Sequence, residues 1–180
     1  SQELRLLATV QRITPSISSI QEEYSDLFTG LGKLKGVQVK LHIDQSVQPV
    51  AQRYRRIPFH VRQHIATQIK KDEEAGVIEK ATGPTPWVSP LVVVPKKTPG
   101  QVRVCVDMRA TNTAIRRERH APPTLEELVT LLSGAKVFSK LDLNQGYNQL
   151  ELSEESKYIT TFQSHLGLYR YRRLNFGINS

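Results

Sequence analysis

The feature that most constrains the fold is a pair of apolar segments separated by a short basic turn. Residues 90–95 (PLVVVP) form a continuous apolar run, and residues 102–106 (VRVCV) are rich in valine. Residues 96–100 (KKTPG) lie between them and combine lysines with the proline and glycine that are typical of turns. Two such segments, so close in sequence, predict a β-hairpin with a basic tip. The fold must therefore contain a sheet.

Two other segments have the pattern of helices. Beyond Pro58, apolar residues recur about every four positions until Gly76, and proline and glycine suit the first turn and the stop. A second helix is expected after Thr124, which is placed to form a capping box with Glu127. Further strands are predicted over residues 37–43, 137–143, 157–162 and 168–173. Helices and strands are interspersed, so the expected fold class is α+β.

The composition limits the classes of function. The formal net charge is +8 and the isoelectric point is about 9.7, which favours an anionic partner such as nucleic acid or an acidic membrane surface. The alternative is a soluble basic protein with no such partner. The single cysteine, Cys105, excludes an internal disulfide and a cysteine-cluster metal site. No apolar run approaches the roughly 20 residues that cross a bilayer, so no membrane association is expected.

An acidic residue is predicted at the end of an apolar strand. Asp142 ends the apolar part of residues 137–143, and Tyr147 follows five positions later. A carboxylate held there can offer oxygen to Mg²⁺, although two-metal phosphoryl transfer needs at least two carboxylates. A lone aspartate at this position is more often a turn or helix cap. The residues alone leave both interpretations open.

Several ordered motifs together resemble the reverse transcriptases of Ty3/gypsy-type retrotransposons. Residues 138–147 (FSKLDLNQGY) resemble the first acidic motif of that family, and residues 87–97 (WVSPLVVVPKK) resemble its fingers strand. Residues 103–112 resemble the return strand with its turn, and residues 162–177 resemble the approach to the next motif. Asn175 stands where many relatives have proline. The similarity covers about residues 26–180 and implies a partial right-hand polymerase fold, with fingers and an incomplete palm.

The resemblance also implies a division of the chain. Residues 1–25 would be a connector or arm, and residues 26–57 an N-terminal extended segment. The partial reverse transcriptase domain would then span residues 58–180. Within it, the fingers would cover 58–120, the start of the palm 121–150, and the return to the fingers 151–180. An intracellular location, cytoplasmic or nuclear, is expected.

Site residues are implied position by position. Asp142 matches the first metal-binding aspartate of a site for Mg²⁺, the implied cofactor, and Leu143 would lend its backbone carbonyl. Tyr147 matches the aromatic residue that crowds the 2′ position of the sugar and favours dNTP over ribonucleotide. Arg103 matches the fingers arginine that holds the triphosphate, and its guanidinium fork suits phosphate oxygens.

Further contacts to the nucleotide are implied at the fingertip and near the C-terminus. Lys96 or Lys97 matches the basic fingertip residue that reaches the phosphates. Phe176 and Gly177 match residues that press on the nucleotide and the template. Asp107 and Arg109 also fit the family pattern, and a structural role is expected for them, as a turn carboxylate and its partner arginine.

Clusters of basic residues agree with a template-primer of RNA and DNA as the partner. The residues expected to contact nucleic acid are Arg116, Arg117, Arg170, Arg172 and Arg173. Tyr169 and Tyr171 interleave with the second cluster, which suits stacking beside phosphate contacts. If this segment is a strand, Arg170 and Arg172 share one face. A solvated polar face is the alternative for any one cluster.

One family motif is not found in this sequence. The second acidic motif carries two adjacent aspartates, whereas the aspartates here are isolated: Asp26, Asp44, Asp72, Asp107 and Asp142. We therefore expect a fragment of an RNA-directed DNA polymerase that binds template-primer and dNTP and is inactive alone. A complementing or partner chain would restore the missing carboxylates. The alternative is a captured transposon segment that acts as a non-catalytic nucleic-acid-binding or protein-interaction module.

Overall fold

A computed structural model describes residues 17–95, 102–119, 121–138 and 142–179. The chain divides into two compact units, Ser1–Gly32 and Lys33–Ser180. In the first unit, the described residues form helix α1 (Ile17–Glu23) and a 3₁₀ turn (Ser25–Phe28). The second unit contains the sheet, the remaining helices of the described residues and those predicted site residues that the structure describes.

Five strands among the described residues of the second unit form one sheet. Their bounds are β2 (Ile78–Lys80), β3 (Ser89–Pro95), β4 (Val102–Val106), β6 (Phe162–Ser164) and β7 (Gly167–Tyr171). Their order in the sheet is β2-β7-β6-β3-β4. Strands β3 and β6 pair in parallel, and the other neighbours are antiparallel. The predicted hairpin is confirmed, with Leu91 opposite Val106 and Pro95 opposite Val102.

Helix α2 (Phe59–Glu74) covers this sheet. Its buried residues Val61, Ile65 and Ile69 recur every four positions, as the sequence predicted. Ile65 and Ile69 line a small cavity of about 50 Å³ together with sheet residues, which places this face of the helix on the sheet. The helix begins after Pro58, and Gly76, just beyond its end, has a φ of 66° that a side chain would strain.

The N-terminal part of the second unit packs into a separate apolar cluster. Strand β1 (Gln38–Val39) pairs in parallel with β5 (Glu151–Leu152), and Ile43 bridges Ile115. The buried members of the cluster are Leu41, Trp87, Ala114, Ile115, Leu152, Ile159, Leu174 and Ile178. The segment after Lys33 is therefore built into the unit by backbone pairing as well as by apolar contacts.

Three short helices complete the unit, and one of them carries the predicted cap. They are α3 (Arg109–Asn112), α4 (Leu125–Leu132) and α5 (Glu154–Lys157). The capping box of α4 is confirmed: Thr124 N donates to Glu127 Oε2 at 2.7 Å, and Glu127 N donates to Thr124 Oγ1 at 3.3 Å. The mixture of helices and sheet confirms the α+β class.

One of the predicted strands is wrong. Residues 157–160 belong to the end of α5 and a 3₁₀ turn (Tyr158–Thr160), and strand structure begins only at Phe162. In the segment 137–143, the described residues 137, 138, 142 and 143 have no strand hydrogen bonds, and residues 139–141 lie outside the described part. The centre of this predicted strand is therefore not described, and the strand stays a prediction.

Candidate nucleotide and nucleic-acid site

A cavity of about 580 Å³ lies along β4. One wall is formed by β4 itself, including Arg103, and another by residues of α2, among them Gln68 and Asp72. Gln145, Asn148, Asn175 and Phe176 also line it. The volume is within the range of small-molecule sites. Arg103 and Phe176, two of the residues predicted to contact the nucleotide, thus line the same cavity.

Tyr147 and Phe176 contact each other beside this cavity. Their ring centroids are 5.7 Å apart with an interplanar angle of 78°, an edge-to-face arrangement. Tyr147 lies on the 3₁₀ turn Gly146–Gln149, and the side chains remain 49% and 79% exposed, respectively. The two aromatic residues, separated by almost thirty positions, are therefore brought together with faces open to a ligand.

The backbone at Gly177 is held in place by α3. Gly177 O accepts a hydrogen bond from Asn112 Nδ2 at 2.8 Å, and Asn179 N donates to Asn112 Oδ1 at 2.8 Å. Gly177 has a φ of 91°, a conformation that favours glycine. Sequence reasoning missed the role of Asn112. It lies at the end of the segment 103–112, whose pattern carried no signal of the distant backbone that Asn112 binds.

Asp107 connects the base of the hairpin to two arginines. Its carboxylate accepts hydrogen bonds from Arg109 Nε at 2.8 Å and Nη2 at 2.7 Å, and from Arg55 Nη2 at 2.9 Å. The hydrogen bonds from Arg109, with the positive charges of Arg109 and Arg55, lower the pKa of Asp107 to about 2 against the effect of burial. The backbone N of Asp107 donates to Pro90 O at 3.0 Å. The predicted pairing of Asp107 with Arg109 is confirmed, and Arg55 is an additional partner.

Asp142 and Leu143 are exposed and precede a tight turn. Gln145 has a φ of 48°, the only positive φ of a non-glycine residue in the described part of the chain. A Cβ at Gly146 would lie 3.3 Å from Leu143 Cβ, so the turn leaves little room for a side chain there. Lys96 and Lys97 lie outside the described residues.

The described residues do not form a complete metal site. Within residues 17–95, 102–119, 121–138 and 142–179, no three His, Cys, Asp or Glu side chains come close enough to hold a metal ion. Asp142 is the one carboxylate of the predicted site. A single exposed carboxylate does not fit a two-metal centre, which requires carboxylates from more than one segment.

The predicted nucleic-acid-binding arginines differ in their surroundings. Arg116 Nη2 is 3.0 Å from Asp44 Oδ2, and Arg170 Nη2 is 2.6 Å from Glu79 Oε1. Arg172 Nε is 3.5 Å from the other oxygen of Glu79, which confirms that Arg170 and Arg172 share one face. Arg117 is exposed and has no acidic partner in the described part of the molecule. Arg173 Nη1 is buried without a hydrogen-bond partner there.

The tyrosines between these arginines pack on an aromatic neighbour within the protein. Tyr169 and Tyr171 both pack on Phe162, with centroid distances of 6.0 and 5.3 Å. Burial also raises the pKa of Tyr171. Strand alternation places the tyrosines on one face and the arginines on the opposite face. Tyr169 is buried, whereas Tyr171 is half-buried and lines the cavity along β4.

No helix among the described residues is long and apolar enough to cross a membrane.

Comparison with known proteins gives the same family along most of the chain. Residues 94–180 match the family described as reverse transcriptase (RNA-dependent DNA polymerase). An uncharacterized protein of Caenorhabditis elegans is 32% identical over 162 residues, 88% of this chain and 13% of that protein. The Pol polyprotein of transposon 412 of Drosophila melanogaster is 31% identical over 173 residues, 90% of this chain and 14% of the polyprotein. The chain thus spans about one seventh of the length of these relatives.

Solved structures share the fold. The protease–reverse transcriptase of prototype foamy virus superposes with a TM-score of 0.76 at 21% identity, covering 89% of this chain and 22% of that chain. The foamy viral protease–reverse transcriptase in complex with double-stranded DNA gives 0.72 at 23% identity, covering 89% and 28%. The partial right-hand polymerase fold is therefore confirmed. Together with the sequence matches, it shows that this chain carries part of a reverse transcriptase domain of the retrotransposon polyprotein type.

Proposed function

We propose that this segment supplies the fingers and the start of the palm of an RNA-directed DNA polymerase. In that role it would hold template-primer and the triphosphate of the incoming dNTP, without polymerising DNA alone. The observation that supports this most directly is the cavity on β4, whose lining includes Arg103 and Phe176; Tyr147 contacts Phe176 beside it. The division into fingers at 58–120, palm start at 121–150 and return at 151–180 belongs to the same proposal.

Each nucleotide contact has a chemical role in this proposal. Arg103 binds phosphate oxygens, because its planar guanidinium stays charged and donates two parallel hydrogen bonds. Lys96 and Lys97 add positive charge at the hairpin tip. Tyr147 closes the space at the sugar 2′ position, and Phe176 with Gly177 presses on the base and the template.

The metal centre would be completed from outside the described residues. Asp142 would be one ligand of Mg²⁺, with the carbonyl of Leu143 beside it, since Mg²⁺ prefers oxygen ligands. When bound, Mg²⁺ supplies neutralisation of the charge on the phosphates. The further carboxylates that such a centre needs would come from a complementing segment or partner chain.

Binding of nucleic acid is supported by charge and by the solved relatives. The chain carries a net charge of +8, and the foamy viral relatives were solved with double-stranded DNA and with an RNA/DNA hybrid. In this chain, Arg116, Arg117, Arg170, Arg172 and Arg173 would contact the phosphates. Arg117 is the best candidate, because it does not have to leave an acidic partner.

The first test is binding of the full chain to a short RNA/DNA hybrid over a salt series. We expect log affinity to fall linearly with log salt, as counterions are released from phosphates. The R117Q variant should reduce the magnitude of the slope by about 1, because one phosphate contact is lost. K71Q, which removes an exposed charge at the far end of α2, is the control. No binding at low salt would contradict the proposal.

A second candidate function is a nucleic-acid-binding module without catalysis. It rests on the net charge of +8 and the exposed Arg117 and needs no metal centre. Primer extension after addition of a separate chain that carries the second acidic motif distinguishes the two. Extension that is lost in D142N supports the polymerase proposal. Hybrid binding without any extension supports the binding module.

A further inference from the structure

A buried hydrogen-bond acceptor without a partner lies on the wall of the cavity along β4. Asn175 is only 3% exposed and lines this cavity of about 580 Å³. Its Nδ2 donates to Phe176 O at 3.3 Å, so the nitrogen of the amide is engaged. Its Oδ1 is buried and has no hydrogen-bond partner among the described residues. Because buried polar atoms in folded proteins are paired almost everywhere, this oxygen indicates a ligand that donates a hydrogen bond to it.

The backbone on both sides of Asn175 is held in place. Leu174 N donates to Leu150 O at 2.8 Å, and Leu150 N donates to Tyr147 O at 3.0 Å. Two positions after Asn175, the carbonyl of Gly177 accepts the side-chain hydrogen bond described above. Asn175 is therefore kept beside the turn that carries Tyr147.

The side chain next to Asn175 is able to move. The ring of Phe176 is largely exposed and contacts Tyr147 edge to face. Asn175 Oδ1 itself has almost no solvent-exposed surface, so a donor reaches it only when a neighbouring side chain turns aside. A base that stacks on Phe176, as the proposed function requires, would reposition that ring.

The chemistry of a deoxynucleoside triphosphate leaves one donor for this acceptor. The phosphate oxygens and the oxygen of the sugar ring only accept hydrogen bonds, and Arg103 is suited to the phosphates. The donors of the base pair with the template strand in the proposed function. The 3′-hydroxyl is the remaining donor, and C3′ is bonded directly to C2′, the carbon that Tyr147 is proposed to crowd.

We propose that Asn175 Oδ1 accepts a hydrogen bond from the 3′-hydroxyl of the incoming nucleotide, so that the cavity selects against nucleotides without this group. The inference rests on the proposed function. A site that binds a substrate hydroxyl by a hydrogen bond discriminates against the analogue that lacks it. Asn175 stands where many relatives have proline, whose side chain has no acceptor, so the contact would be a property of chains with asparagine at this position.

The test measures how four thymidine triphosphates bind to the full chain in the presence of Mg²⁺ and an RNA/DNA hybrid whose next template base is adenine. The four differ only at the 3′ position, which carries a hydroxyl, an amino group, fluorine or hydrogen. We expect the hydroxyl and amino forms, which donate a hydrogen bond, to bind at least about tenfold more tightly than the other two. Fluorine is close to a hydroxyl in size, so it separates the hydrogen bond from shape. Saturation-transfer NMR gives the dissociation constants without requiring polymerisation.

Two variants assign the contact to Asn175. N175L has a similar shape but no acceptor, so it should bind all four forms with equal affinity. N148L is the matched control: Asn148 lines the same cavity, but its Nδ2 already donates to Gln145 Oε1 at 2.9 Å, so the ratios among the four forms should not change. Thermal unfolding of N175L should occur at no lower temperature than that of the unaltered chain, because the variant removes an unpaired buried acceptor.

The outcomes separate this inference from the proposed function. Equal binding of all four forms to the unaltered chain would overturn the contact and leave the proposed function standing, whereas binding of none would contradict both. A preference for the donating forms that persists in N175L would assign the 3′-hydroxyl to another residue and overturn the proposal. A large loss of stability in N175L would show that the oxygen is paired in the folded chain and would also overturn it.

Discussion

At the level of single residues, Asp107 shows how one carboxylate can hold the base of the β3–β4 hairpin in place. It pairs with Arg109 next to it and with Arg55, more than fifty positions away, and its backbone is bonded to Pro90. The local pair was predictable, because both residues lie in one turn. Arg55 was not, because sequence spacing gives no information on which distant segment crosses a turn.

Replacement of Asp107 by asparagine should destabilise the second unit by about 1–2 kcal/mol. Hydrogen bonds to a charged group contribute more than this when buried, but both guanidiniums are solvent-accessible, which reduces the effect. The pKa of Asp107 is depressed to about 2, so its contribution is present above the unfolded pKa of about 4 and is lost as pH falls toward 2. Urea unfolding of D107N at pH 7 and pH 2.5 measures this. An equal loss at both values would contradict the assignment.

Tyr147 is expected to determine which sugar the nucleotide cavity accepts. In an enzyme complemented with the second acidic motif, Y147A should increase the use of ribonucleotides relative to dNTP by at least about tenfold, because the ring no longer excludes the 2′-hydroxyl. Primer extension with each nucleotide separately gives the ratio. Y158F, which changes a tyrosine outside the cavity, is the control. An unchanged ratio would remove Tyr147 from this role.

At the level of elements, helix α2 depends on its buried face. Ile65 is fully buried between helix and sheet, so I65A should cost about 2–5 kcal/mol through lost contacts and a residual cavity. The exposed Leu131 on α4 provides the control, and L131A should change stability by less than about 0.5 kcal/mol. Urea unfolding of both variants is the measurement. Similar values would show that α2 does not form part of the core.

Helix α4 differs from α2 because it has no buried residues. Its capping box is formed, so we expect its stability to depend on the cap. T124A should lower the local stability of the helix by about 1 kcal/mol. Hydrogen exchange of residues 125–132 should become faster, and global unfolding should not change. A lower global unfolding midpoint would show that α4 is more strongly coupled to the sheet than its exposure suggests.

Helices were predicted more accurately than strands, for a physical reason. The period, proline, glycine and capping box of α2 and α4 are local, and each was present in the sequence. The segment 157–161 contains Tyr158, Ile159 and two threonines, which favour strands, but Thr160 and Thr161 instead donate to the carbonyls of Lys157 and Tyr158 in a 3₁₀ turn. Whether this segment forms a turn or a strand depends on its packing against β7, and the local sequence pattern gives no information on that packing.

At the level of the whole molecule, the division at Gly32 predicts how the chain tolerates deletion. Lys33 pairs with Glu151, and Leu34 N donates to Gln149 O, both within the second unit. A chain lacking residues 1–32 should therefore unfold in one cooperative transition with the same midpoint as the second unit of the full chain. Circular dichroism during urea titration tests this. A chain that does not fold would show that the second unit requires the first.

The family and the order of its motifs were predictable because the residues that carry them are short and local. The resemblance singled out Arg103, Tyr147 and Phe176. The structure places Arg103 and Phe176 on one cavity and Tyr147 against Phe176, and the roles of the three residues stay predictions. The partners of Arg116 and Arg170, by contrast, could only be found in three dimensions. Both pair with acids at least seventy positions away.

The strand order has a mechanical consequence for Arg103. Strand β3 pairs with β6 only at Ser89 and Pro90. Beyond Pro90, the β3–β4 hairpin extends past this pairing, so β6 holds it at one end only. Arg103 lies opposite Val94, four residues beyond that support, which is about 13 Å of strand. A bend of about 15° at the support would displace Arg103 by roughly 3 Å, the length of one hydrogen bond. If Arg103 holds the phosphates as proposed, its position over them would depend on the backbone at Pro90, whose carbonyl accepts a hydrogen bond from Asp107 N.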